Sequence, residues 1–125
     1  MPAPPDGLTS AQARAVTHRT GPIAVTGGAG TGKTRVLVER FAWLVGEGVA
    51  PEAIVVLALS AASADTLRAS VEDALGQRAF EELVVTTVPG LALRLMREEA
   101  PETGLGAASP ATSADRLALL LDRVD

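Results

Sequence analysis

The chain has 125 residues, 47% hydrophobic and 21% charged, with a formal charge of −4. That length allows one domain or part of one, so a multidomain machine is excluded as the whole story, and the apolar content suffices for a core, so a globular body is expected with disorder confined to short segments. With no cysteine there are no disulfides, thiol catalysis or cysteine-ligated zinc, as fits a reducing cytoplasm, and the single His18 cannot build a metal cluster. In chain order, Met1 to Gly7 holds three prolines and reads as a flexible lead-in (1–7). Ser10 is the expected N-cap of a short helix over Ala11 to Arg19, with Ala11, Ala15 and Val16 on one face and Gly21-Pro22 as its stop. Ile23, Ala24 and Val25 form an apolar run expected to be a strand, followed by the glycine-rich stretch Gly27 to Gly32. Lys33 to Val45 is predicted to be a helix with Leu37, Phe41 and Leu44 on one side.

Gly46, Gly48 and Pro51 break that helix, and Ile54 to Leu59 is a continuous branched run expected to be a strand buried on both faces. Ser63 to Leu75 is a predicted helix, Leu83 to Thr87 a short strand, and Gly90 to Ala100 a further helix. Strands alternating with helices predict a parallel sheet with right-handed crossovers. Pro101 to Thr112, rich in Gly, Ala, Ser and Pro, is an expected linker (101–112) to a last helix within 113–125. The longest apolar stretch, Ala53 to Leu59, is far too short to cross a membrane.

Gly27-Gly28-Ala29-Gly30-Thr31-Gly32-Lys33-Thr34 fits G-x-x-x-x-G-K-[ST] between an expected strand and an expected helix. Glycines let successive backbone N–H groups turn inward toward phosphate oxygens, and the following helix adds its positive N-terminal end. Lys33, the only lysine among eleven basic residues, is expected to reach the β- and γ-phosphates of a nucleotide, and the Thr34 hydroxyl to ligate Mg2+.

The flanks of this loop carry a resemblance. Leu8-Thr9-Ser10-Ala11-Gln12-Ala13-Arg14-Ala15-Val16, Gly21-Pro22, the loop Gly27 to Thr34 and Arg35-Val36-Leu37 resemble, without a gap, the start of UvrD/Rep-type superfamily 1 ATP-dependent DNA helicases. The resemblance implies a P-loop NTPase of RecA-like α/β fold, ATP and Mg2+ as ligands, Gln12 reading the adenine and Arg35 packing near the base. A glutamine amide offers the donor and acceptor that an adenine edge requires. By the same resemblance, residues 8–100 are the N-terminal part of motor domain 1A, and 113–125 begin an inserted 1B-like helical subdomain. The sheet is then incomplete and the chain an N-terminal fragment or a truncated gene product.

Two further strips depart from that family. Where it has T-F-T-N-K-A-A, this chain has Ala58-Leu59-Ser60-Ala61-Ala62-Ser63-Ala64, and where it has T-F-H-S, this chain has Thr87-Val88-Pro89-Gly90. The rings and the lysine that meet single-stranded DNA in the family are absent, and base stacking needs a flat ring. Weak or absent DNA contact by this chain is the expectation, with single-stranded DNA a partner of the complete protein. An unequal-motor helicase-nuclease of the AdnAB or RecBCD kind, with a second subunit, is the subfamily implied.

Leu117-Ala118-Leu119-Leu120-Leu121-Asp122 superficially matches a strand delivering a magnesium-directing acid. Without a β-branched residue, and with Thr112-Ser113 and Asp115 ahead of it, it is expected to be helical. The function that follows is ATP binding by part of a helicase that couples hydrolysis to DNA unwinding or translocation in repair or recombination, the chain alone being inactive. The alternative is an ATP-binding regulatory or structural subunit. A small P-loop kinase would need an acceptor site and an arginine-bearing lid after the third strand, where this chain has the 101–112 linker.

Overall fold

Two parallel strands and the helix that joins them set the frame. A computed structural model describes residues 6–76, 83–99 and 111–121. Strand β1 (Val55–Ala58) pairs in parallel with β2 (Val84–Thr87), in the register Val55 with Val84 through Ala58 with Thr87. The crossover helix α3 (Ala61–Leu75) starts at Ser60, whose side chain caps the Ser63 N–H at 3.2 Å. Its Ala64, Leu67 and Val71 form one core with Val56, Leu83, Val85 and Phe41. Arg68, on the same helix, donates to the carbonyls of Leu83 (2.8 Å) and Val85 (2.9 Å), so its guanidinium ties α3 to the β2 backbone.

Helix α2 (Lys33–Gly46) faces two partners, which is why its buried residues do not follow a single stripe. Phe41 enters the α3 and sheet core, while Val36 and Trp43 pack with Ala15 and Val16 of helix α1 (Ser10–Val16). Of the expected Leu37, Phe41 and Leu44 face, only Phe41 is buried, and Leu37 is 41% exposed. The Arg19 guanidinium lies 5.4 Å above the Trp43 ring and pairs with Glu47. A short 3-10 turn, Pro51–Ala53, feeds β1.

Several expectations are corrected. Ile23 to Val25 forms no strand: residues 22–28 carry no ladder, and Ile23 and Val25 are each 44% exposed. A strand is a paired state, and among the described residues the only ladder joins β1 to β2. The β1 run is buried on one face and not two, because α2 and α3 cover Val56 while Val55 and Leu57 remain half exposed. Helix α1 begins one residue earlier than expected, since Thr9 and not Ser10 is the cap: Thr9 and Gln12 form a reciprocal capping box. It ends at Val16, short of Arg19. Helix α3 begins at Ala61, immediately after its Ser60 cap.

The described residues fall into two units, one up to Thr87 and one from Val88. In the second, helix α4 (Val88–Glu98) starts two residues before the expected Gly90, with Pro89 in a first turn that needs no donated N–H. Arg94 pairs with Glu98 one turn on, at 2.7 Å. Helix α5 (Ser113–Leu121) contains the Leu117 to Leu121 run, so that run is helical as expected. Ala100, the 101–110 part of the expected linker, residues 1–5 of the lead-in and Asp122 lie outside the described residues. Among the described residues no helix is long and apolar enough to cross a membrane.

The start of α5 carries a pH-sensitive contact. The Asp115 carboxylate accepts from the Thr112 hydroxyl and the Thr112 N–H, each at 2.7 Å, and these bonds hold its pKa below the ordinary carboxylate value. A depressed folded-state pKa means the contact stabilises the helix start above the unfolded pKa and is lost as pH falls through the folded one. In an NMR titration of the Asp115 carboxyl carbon, Thr112→Ala is expected to raise the midpoint. An unchanged midpoint would count against this origin of the shift.

Candidate nucleotide-binding loop

The loop between residues 26 and 33 is shaped by glycines whose lost side chains have identifiable consequences. Gly30 and Gly32 have φ of +74° and +82°, and Gly32 is the N-cap of α2. A Cβ on Gly32 would lie 2.9 Å from the Gln12 Nε2, and one on Gly27 2.6 Å from the Thr31 Oγ1. At Gly27 a side chain would displace the Thr31 hydroxyl, and at Gly32 it would push the Gln12 amide aside and is disfavoured above all by the positive φ. No side chain caps α2, so its first-turn N–H groups open at the loop, and the ladder begins with Val36 N–H donating to the Gly32 carbonyl at 3.0 Å.

Three side chains converge on this loop. Lys33 donates from Nζ to the carbonyls of Gly27 (2.7 Å) and Gly28 (2.5 Å), holding its ammonium against the loop. Thr31 donates its hydroxyl to the Gly28 carbonyl at 2.8 Å. Gln12 reaches in from α1: its Nε2 donates to the Thr31 carbonyl at 3.1 Å, while its Oε1 accepts the Thr9 N–H at 2.9 Å. Thr9, Gln12, Thr26, Gly27, Thr31 and Lys33 all line one cleft of about 350 Å³. Thr34 is exposed, and among the described residues its hydroxyl has no hydrogen-bond partner. An ammonium and the free N–H groups of a helix start, presented at one cleft, suit an anion.

Arg35 lies elsewhere. Its guanidinium donates to the backbone carbonyls of Asp6 (3.2 Å) and Gly7 (3.3 Å), with Glu39 3.6 Å away on the next turn. Thus Gln12, the glycine loop and Lys33 are brought together, and Arg35 is occupied with the segment that precedes α1. Among the described residues no group of three or more His, Asp or Glu side chains is arranged to hold a metal ion. On the first departing strip, Leu59 is fully exposed and Ser60 and Ser63 bond each other at 2.9 Å. That strip opens on a second cleft of about 500 Å³ that Thr34, Leu37 and Leu57 also line. On the second strip Val88 is 63% exposed.

Sequence reasoning missed Arg40. Its Nη1 donates to the carbonyls of Ala15 (3.0 Å), Val16 (3.0 Å) and His18 (2.7 Å), at the end of α1. Backbone acceptors leave no pattern in a sequence, so no signal there could have indicated it.

Residues 8–124 match the family described as the UvrD/REP helicase N-terminal domain. The chain is 33% identical over 99 residues to the ATP-dependent DNA helicase PcrA of Staphylococcus epidermidis, 78% of this chain and 13% of that protein. It is 34% identical over 100 residues to PcrA of Bacillus subtilis, 79% of this chain and 13% of that protein. Against a probable DNA helicase of Mycoplasma pneumoniae the identity is 36% over 92 residues, 73% of this chain and 17% of that protein. The chain thus spans about 13% of the length of the PcrA relatives it matches. A match running from Leu8 to Val124, together with identity at this level, places the chain in the UvrD/Rep-type superfamily 1 helicases, as an N-terminal part.

Proposed function

We propose that this chain is the ATP-binding portion of a UvrD-like DNA helicase, in which ATP hydrolysis drives unwinding or translocation on DNA during cytoplasmic repair or recombination. The observation that carries this reading is the cleft where Gln12, the glycine loop and Lys33 meet, at the uncapped start of α2. The residues present fit a nucleotide: Gly27 and Gly32 leave room where a Cβ would intrude, and Lys33 exchanges two carbonyls for phosphate oxygens. Loop residues Gly27 to Thr31 would supply backbone donors, and the partner-free Thr34 hydroxyl would hold Mg2+, which when bound would offset phosphate charge. In the RecA-like arrangement proposed here, residues 8–100 belong to motor domain 1A, 101–112 form a linker, and 113–125 begin a 1B-like subdomain.

Gln12 confers base choice in this reading. It gives up the Thr31 carbonyl and the Thr9 N–H for adenine, whose edge takes one donor and one acceptor. Guanine presents a different order of donor and acceptor and leaves a hydrogen-bonding group without its partner. The chain is therefore expected to prefer ATP over GTP, and Gln12→Ala to erase most of that preference, about tenfold for two hydrogen bonds of ordinary strength. Competition titration measures it, and an unchanged preference in Gln12→Ala would return Gln12 to a capping-box role alone. Arg35 lies beside the base only if it releases Asp6 and Gly7.

A second reading is favoured by the exposed Leu59 and the adjoining Ser60, Ala61 and Ala62, which present neither ring nor positive charge to a DNA strand. It makes the protein an ATP-binding regulatory or structural subunit beside a second helicase-nuclease subunit. Stimulation of ATP hydrolysis by single-stranded DNA in the full-length protein distinguishes the two: a motor responds and a regulatory subunit does not.

A further inference from the structure

We propose that Arg40 is a positioning residue for nucleotide selection, holding the end of α1 so that Gln12 stands at the glycine loop. The proposal rests on the reading of Gln12 as the adenine-recognising side chain. Helix α1 has seven residues, too few to persist alone in water. It is fixed at two ends. At the first, the Thr9 and Gln12 capping box and the Gln12 to Thr31 bond tie it to the loop. At the second, the last carbonyls of a helix have no partner within it, and one Arg40 nitrogen takes Ala15, Val16 and also His18 beyond the helix.

Gln12 and Val16 are one turn apart, so displacement of the anchored end displaces Gln12. Arg40 stands two turns after Lys33 on α2, about 10 Å along the axis, and lines a cleft of about 500 Å³ with Lys33, Thr34 and Ala15, so its effect on the base end is separated from any effect on the phosphate end by reading triphosphate affinity beside base choice. The two helices thereby share one rigid relation: α2 supplies the phosphate-end residues, and the same helix, through Arg40, sets the base-end residue. Burial of Ala15 and Val16 against Val36 and Trp43 holds α1 by apolar contact, which is non-directional, whereas the two N–H groups of Arg40 Nη1, shared among three carbonyls, add directed contacts that oppose sliding along the helix axis.

The acceptor geometry also predicts which replacement rescues. Three carbonyls converge on one nitrogen, and a lysine ammonium is a compact group with three donors, whereas methionine fills space without any.

The test titrates ATP, GTP and inorganic triphosphate against the wild-type chain, Arg40→Met, Arg40→Lys, Gln12→Ala and the Gln12→Ala/Arg40→Met double variant. Arg40→Met is expected to bring the ATP to GTP affinity ratio to within about twofold of unity while leaving triphosphate affinity unchanged. Arg40→Lys is expected to keep the preference, and the double variant to lose no more of it than Gln12→Ala alone. Amide exchange at Ala13 to Thr17 should quicken in Arg40→Met and not in Arg40→Lys. Retention of the preference in Arg40→Met, where Gln12→Ala loses it, overturns the proposal and leaves the Gln12 reading standing. Equal loss of ATP, GTP and triphosphate in Arg40→Met overturns it in favour of general support of the fold. If Gln12→Ala keeps the preference, the Gln12 reading fails and the proposal falls with it. Should Arg40→Met not fold, as read from Trp43 fluorescence, Arg40→Lys decides: a folded variant that has lost the preference overturns the proposal.

Discussion

Lys33→Ala is expected to abolish measurable Mg-ATP binding at concentrations that saturate the wild-type chain. The Lys33 ammonium lies against the loop, bonded to the Gly27 and Gly28 carbonyls, and on nucleotide binding it exchanges these neutral acceptors for phosphate oxygens. Truncating one partner of such a charge pair costs about 2–5 kcal/mol, which is at least roughly thirtyfold in affinity. The N–H groups at the start of α2 survive the substitution, but they are partial charges and cannot offset the γ-phosphate alone. Lys33 is exposed and contributes nothing to either core cluster, so the variant is expected to fold with wild-type Trp43 fluorescence. Calorimetric titration of both proteins with Mg-ATP gives the answer, and equal affinities would remove the nucleotide-binding assignment of the loop.

The parts of this molecule that were legible in the sequence are those whose signal is local. Helices α1, α2 and α3 follow from apolar runs bounded by glycine and proline, whereas the caps Thr9 and Ser60 are not anticipated, and α1 and α3 begin one and two residues before their expected starts. The paired strands follow from branched runs bounded by breakers. Ile23 to Val25 has the same local signal and no ladder, because strand formation depends on a neighbour that no local window contains. The exposed Val55 and Leu57 misled for a related reason: a continuous apolar run is consistent with burial on two faces, but α2 and α3 cover only the one that carries Val56. At the candidate site, the tight turn was legible because glycines at its helix end, Gly30 and Gly32, take positive φ. The arginines were not. Arg35, Arg40 and Arg68 all bond backbone carbonyls far along the chain, and a carbonyl has no residue type to read.

The chain is further expected to bind Mg-ATP without appreciable turnover and to hold single-stranded DNA only weakly. Hydrolysis of this kind needs a carboxylate that directs the metal and the attacking water, and an arginine that stabilises charge on the transferred phosphoryl group. The one run that could deliver such a carboxylate from a strand, Leu117 to Leu121 before Asp122, is part of helix α5. Arg19 is paired with Glu47, while Arg35, Arg40 and Arg68 hold backbone carbonyls, so freeing any of them for the phosphoryl group sacrifices an existing contact. For DNA, affinity comes from neutralised phosphates and stacked bases, and aromatic stacking contributes about 1–3 kcal/mol per base. The strip from Leu59 to Ala62 offers an exposed aliphatic side chain, a serine already bonded to Ser63 and two alanines, on a chain of net charge −4. Binding is therefore expected to be weak and to fade as salt is raised. Steady-state phosphate release and fluorescence anisotropy of a labelled single strand at moderate salt measure the two halves separately. Robust DNA-stimulated turnover would instead make Asp122 the metal-directing acid and require the α5 segment to rearrange when nucleotide and DNA are bound.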